Sequence, residues 1–168
     1  MSNTVPVSAA VPVSSDDYVS IQRLVNRYAD AVVHRSAEQW ASCWADDAVW
    51  DLGRGRLVEG KDAIMKLWLG AMTGFAAVVQ TVHSGDAWCA ASSEEAVGRW
   101  AISERFRRAD GQSGLLLAHY DDTYRKVEGR WLFARRFLQV HYGGPADLSA
   151  EFTNNREALL ARGVAADV

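Results

Sequence analysis

Disulfide-stapled, membrane-spanning and strongly charged classes are excluded first, because the chain is short of what each requires. Only two cysteines, Cys43 and Cys89, occur in 168 residues, far apart and outside any Cys-x-x-Cys spacing. That argues against a disulfide framework and for a reducing, cytoplasmic setting. No window approaches the roughly 18 uninterrupted apolar residues of a spanning helix. Residues 1–15 hold no Lys or Arg, so they lack the charged start of a secretory signal and read as a flexible N-terminal tail. Neither sign of charge dominates: 18 Lys and Arg stand against 21 Asp and Glu, a net −3. This leaves no broad footprint for nucleic acid or an anionic membrane. Nine of the basic residues fall in 99–136, but five acids are interspersed there, as on a solvated sheet face.

Chemical motifs are as scarce. His34, His83, His119 and His141 form no HxH or HExxH spacing that would preassemble a metal site. There is no GxSxG, no GxGxxG, no P-loop and no cysteine in a nucleophile's context. Neither a metal nor a cofactor is expected, and what remains is general acid–base chemistry by His, Tyr and carboxylate.

What is present is an ordinary globular composition, 49% apolar and 23% charged, in a chain long enough for one core. Ile21, Leu24, Val25, Tyr28 and Val32 keep helical spacing behind Asp16 and Asp17, which suit a first turn. Ser36 and Gln39 have the spacing of a capping box opening a second, shorter helix with Trp40, Cys43 and Trp44. A hairpin is expected over 48–59, and a third helix over Lys61 to Met72 on Ile64, Leu67 and Trp68. Strands follow at Phe75–Ser84, Ala96–Arg108, Leu115–Lys126 and Arg130–Tyr142, with Asp110-Gly111 and Glu128-Gly129 as turns. Helices first and sheet second predict an α+β fold: three N-terminal helices on a curved, mainly antiparallel mixed sheet that makes a cone-shaped barrel. The domain is expected over 16–145, with residues 146–168 as a C-terminal tail holding one helical turn near 155–162.

The concave face of such a cone is a natural small-molecule site. Alternation puts Trp100, Ile102, Glu104 and Phe106 on the inward face of one strand, and Arg99, Ala101, Ser103 and Arg105 on the other. Glu104 stands out, since a carboxylate facing a core is costly unless partnered; it is either a working group or a salt bridge near the rim. His83 closes a strand where functional residues are common, yet a lone histidine is more often satisfied by neighbouring backbone. Tyr28 and Tyr120 are expected on buried faces, with core packing the default for each. Trp50, Trp68 and Trp100 could line a cavity for a flat substrate, though most tryptophans pack in cores.

The phrases Tyr28-Ala29-Asp30, Trp44-Ala45-Asp46-Asp47-Ala48-Val49-Trp50, Gln80-Thr81-Val82-His83, Gly98-Arg99-Trp100, Tyr120-Asp121-Asp122-Thr123-Tyr124 and Gly129-Arg130-Trp131, in this order, resemble the SnoaL-like branch of the nuclear transport factor 2-like superfamily over about residues 17–143. The resemblance runs most closely to its cofactor-independent lyases, the scytalone dehydratases, bile-acid 7-alpha-dehydratases and hexachlorocyclohexane dehydrochlorinases. It implies a lyase that eliminates water or another leaving group from a small hydroxylated, cyclic or aromatic substrate. His83 would match the pocket histidine that acts as base, Tyr28 a tyrosine acting on the substrate, and Glu104 a pocket acid. Arg136 resembles an arginine lining the dehydrochlorinase pocket and Tyr120 a polar pocket residue; Asp30, Trp50, Trp100, Ile102 and Leu138 complete the implied substrate-binding set. One departure stands out: the aspartate that pairs with the histidine in these lyases falls at Val33. An Asp30–His34 couple, or Glu104 or Asp122, could substitute for it. Isomerisation, cyclisation or C–C cleavage would use the same parts. The alternatives are a non-catalytic binding protein and the small structural subunit of an aromatic-ring-hydroxylating dioxygenase. The resemblance also implies a homodimer or homotrimer.

Overall fold

A computed structural model describes residues 11–53 and 55–153. The chain begins with α1 (Ser15–His34), α2 (Ala37–Ala41), β1 (Trp44–Asp51), β2 (Leu57–Glu59) and α3 (Lys61–Thr73). Four long strands follow: β3 (Phe75–Cys89), β4 (Glu95–Arg108), β5 (Ser113–Val127) and β6 (Arg130–Gly144). The fold is α+β, with one six-stranded sheet in the order β2-β1-β6-β5-β4-β3. Only β1 and β6 run parallel; every other pair is antiparallel. The sheet curves around the helices without closing.

The helix ends obey their local chemistry. Ser14 caps α1 by accepting from the Asp17 amide at 3.1 Å. Asp17 in turn accepts from the Trp131 indole at 2.7 Å and Lys126 Nζ at 2.8 Å, which pins the start of α1 to the β5–β6 hairpin. Those bonds hold its carboxyl below the usual range. At the other end Arg35 takes a left-handed conformation, φ 54°, and its Nη2 donates to the Phe75 carbonyl at 2.6 Å. Ser36 caps α2 through the Gln39 amide at 3.4 Å, as the capping-box spacing predicts.

Helix α2 is shorter than its apolar spacing suggests. It stops at Ala41, so Cys43 and Trp44 lie beyond it, and Trp44 opens β1 opposite Phe133. The helical spacing of Trp40 and Trp44 misleads because both side chains enter one aromatic cluster from different elements. There Trp40 stacks on Trp68 with centroids 4.7 Å apart, and Trp44, Trp50 and Tyr28 pack around it. This cluster forms the core beneath the helices.

Strand β3 runs five residues past the expected Ser84 because an irregularity carries it onward. Val82 pairs with Ile102 and Gly85 with Trp100, so His83 and Ser84 together face the single residue Ala101. A glycine is needed at 85, where an added Cβ would lie 2.2 Å from the Trp100 ring. The segment just before α1 follows the free edge of β3: Cys89 N donates to the Val11 carbonyl and Val13 N to that of Ala87. Behind β6, Phe152 bridges to Tyr142, so the chain folds back on its last strand. The helical turn expected near 155–162 lies outside the described residues. Among the described residues no helix is long and apolar enough to cross a membrane.

Candidate functional site

Side chains at alternate positions of the four long strands divide into a concave face toward the helices and a convex face away from them. The concave face has two ends of different character. At the closed end, Arg136 and Asp122 are fully buried and form a bidentate pair, Nε to Oδ1 at 2.9 Å and Nη2 to Oδ2 at 3.0 Å. The Tyr124 hydroxyl also donates to Asp122 at 2.9 Å, and the Trp100 indole donates to Tyr124 at 2.8 Å. The guanidinium carbon of Arg136 lies 3.8 Å from the Tyr120 ring centroid, 4.0 Å from that of Phe133 and 4.2 Å from that of Tyr28. Burial alone disfavours the arginine charge; the field and hydrogen bonds of Asp122 outweigh it and leave the group above the ordinary arginine range. Burial also pushes the Tyr28 phenol up to about 12, against the pull of Arg136, and lifts Tyr120 well above its usual value.

At the open end a cleft of about 680 Å³ enters between the ends of β4, β5 and β6. Phe75, Phe106, Leu115 and Leu116 give it apolar walls, Glu104 lies inside it, and Arg108, Gln112 and Ser113 stand at its rim. Gly114 leaves room for the Phe106 wall; a Cβ there would meet its ring at 2.5 Å. Glu104 Oε1 accepts from Gln80 Nε2 at 2.6 Å, across the β3–β4 pair in which the two residues stand opposite. Burial raises the Glu104 pKa, and the Gln80 bond only partly opposes that. Gln80 is itself buried, and its Oε1 has no partner among the described residues. The Glu104 charge also raises the pKa values of Tyr28 and Tyr120. Glu104 is therefore a carboxyl on an apolar wall, coupled to a turnable amide in front and two phenols behind.

His83 does not belong to this arrangement. It is exposed on the convex face, and its Nε2 lies 2.9 Å from the Oγ of Ser103. The reason is parity: Val82 packs toward the core, so the next residue points the other way. Neither Glu104 nor Asp122 orients it, since their side chains bond within the concave face. His34 and Asp30 pair at 3.4 Å on the exposed side of α1, so this couple does not replace the carboxylate missing at Val33 inside the cone. Trp50 is packed in the aromatic cluster, Trp100 is committed to Tyr124, and Ile102 and Leu138 pack in the core; none lines the cleft. Tyr28, Tyr120 and Arg136 are brought together, but as the buried wall behind the site. Of the residues expected to carry the chemistry, Glu104 alone reaches the cleft.

Sequence reasoning passed over Gln80, although Val78, Gln80 and Val82 share an alternation that pointed inward. It also passed over Phe75 and Arg108, whose placement depends on where β3 and β4 end. On the convex face His119 Nδ1 and His141 Nε2 lie 2.7 Å apart, with Asp121 3.3 Å from His119 Nε2. Among the described residues no group of three or more His, Cys, Asp or Glu could hold a metal ion.

Helices laid into a curved, unclosed sheet, with a cleft between the ends of β4, β5 and β6, define a cone of the nuclear transport factor 2-like kind. A SnoaL-like domain model matches residues 13–137, and the chain belongs to that family. Among solved structures it is similar to a scytalone dehydratase-like protein from Novosphingobium aromaticivorans, with 24% identity and a TM-score of 0.70 over 81% of this chain and 90% of that one. It is also similar to a type 2 hexachlorocyclohexane dehydrochlorinase, with 20% identity and a TM-score of 0.70 over 81% and 92%. An aromatic ring hydroxylase-like protein from N. aromaticivorans gives 20% identity and 0.72 over 82% and 99%. No curated protein sequence matches the chain.

Proposed function

We propose that this chain is a cofactor-independent lyase for a small, ring-bearing substrate, with Glu104 rather than an imidazole as its proton acceptor. The observation that carries the reading is the Glu104 carboxyl, lifted by burial and facing a cleft walled by Phe75, Phe106, Leu115 and Leu116. A base whose pKa is moved toward the working pH transfers protons more effectively, and positioning it contributes about 10²–10⁴-fold. The dehydratase-like protein and the dehydrochlorinase among the similar structures support elimination as the reaction class.

In such an elimination the carboxylate takes a proton from a substrate carbon and the freed electron pair becomes a carbon–carbon double bond. The group on the neighbouring carbon departs with its own electron pair. A hydroxyl leaves as water by taking the proton that Glu104 has just acquired. Gln80 suits both states of the carboxyl, because its amide offers a donor to the carboxylate and, turned over, an acceptor to the acid. Tyr28, Tyr120 and Arg136 support the rear wall without touching the cleft.

The probe is 5-nitrobenzisoxazole, a flat aromatic that opens to a cyanophenolate when a base removes its ring proton. We expect turnover that Glu104→Gln lowers by about 100-fold, with a pH profile rising through a pKa above that of a free glutamate. Turnover that survives Glu104→Gln would refute the assignment. The outward His83 and the apolar Val33 favour a second reading, a pure binding module. Probe binding without turnover in the wild-type protein would select it.

A further inference from the structure

The cleft contains a second charged group that the elimination does not use. Arg108 is the only cation among the described residues that line it, and it has no carboxylate partner among them. It is held in place all the same. Its amide donates to the Gln112 carbonyl at 2.7 Å, its carbonyl accepts from Gly111 N at 3.0 Å, and its guanidinium carbon lies 5.1 Å from the Phe106 centroid and 5.5 Å from that of Phe75. The two rings meet edge to face at 5.5 Å and 73°, forming an aromatic shelf beneath the charge. Arg35 fixes the Phe75 end of that shelf from α1.

Glu104 and Arg108 lie four residues apart on the same strand and the same face, so their backbones are about 13 Å apart. The side-chain bond of Glu104 goes to Gln80, and among the described residues no ion pair joins it to Arg108. The cleft thus has a base at its inner end, an aromatic floor and an unpaired guanidinium at its mouth.

We infer that the substrate is an aromatic or polycyclic organic anion, whose carboxylate or other oxyanion is held by Arg108 while its ring body rests on Phe75 and Phe106 toward Glu104. This rests on the lyase reading for the site but concerns what the site recognises. A guanidinium offers paired donors that match a carboxylate and is lightly hydrated, so it releases its water readily on such a shelf. The preference also has a kinetic side, since a mouth cation draws anions to a protein of net charge −3 that would otherwise repel them.

The test compares 2-naphthoate with 2-naphthamide, which share shape and differ in charge, by titration calorimetry on the full chain. The wild-type protein should bind the carboxylate at least about ten-fold more tightly than the amide. Arg108→Gln should abolish that gap, Arg108→Lys should retain part of it, and Glu104→Gln should preserve or widen it. Equal affinity for the two in the wild type, a gap that survives Arg108→Gln, or binding of neither would overturn the inference. Running 5-nitrobenzisoxazole alongside separates the two claims. An intact naphthoate preference without turnover sinks only the elimination reading, and turnover without the preference sinks only this one.

Discussion

Asp122 and Glu104 are carboxyls on adjacent strands of one concave face, and the fold treats them in opposite ways. Asp122 receives two bonds from Arg136 and one from Tyr124, with Trp100 behind, so every oxygen lone pair that matters is occupied. Glu104 receives one amide hydrogen and otherwise faces Phe106, Leu116 and open space. A buried carboxylate with both oxygens bonded is held in place and organises its surroundings, even with the Arg136 Nη1 left without a partner among the described residues. A half-buried carboxyl with one partner keeps its proton affinity available for a ligand. The same residue chemistry therefore yields scaffold at the closed end of the cone and a candidate reactive group at the open end.

The strongest way to break this contrast is to remove one partner at the closed end. Asp122→Ala should cost about 3–5 kcal/mol in urea unfolding, because it strands the Arg136 charge among three aromatic rings. Combining Asp122→Leu with Arg136→Met should recover much of that loss.

At the open end removing the carboxylate has the opposite effect on stability. Burial raises the folded-state pKa of Glu104 above its unfolded value. Its contribution is thus fully present below the unfolded pKa and is lost as pH rises through the folded one. Glu104→Gln should accordingly melt a few degrees higher than the wild type near pH 8, with the difference vanishing near pH 4. A variant that gains stability while losing turnover would sharpen the distinction between the two carboxyls. The smallest effect is expected for His83→Ala: unchanged probe turnover, and about 1 kcal/mol or less of stability for the part-buried bond to Ser103.

The elements that were legible share a physical trait: each is set by neighbours in sequence. The apolar stripe of α1, the Ser36 cap and the Glu128-Gly129 turn depend on spacings of a few residues, and they fall where those spacings put them. Parity within β4 likewise places Trp100, Ile102 and Glu104 together on the concave face. The site was less legible. His83 matched a family phrase, yet a match in letters does not fix strand parity beside a bulge, and three residues upstream Gln80 holds the inward position. His34 looked usable at the end of α1, but the helix turns it toward solvent with Asp30.

The sequence by itself determined the order of helices and strands, the faces that α1 and β4 present and the family, because periodicity and capping are local and survive without knowledge of the partners. Tertiary structure alone decided which carboxyl would be neutralised. That choice depends on strand pairing across distant segments, where Arg136 comes to lie opposite Asp122 while Glu104 meets only an amide.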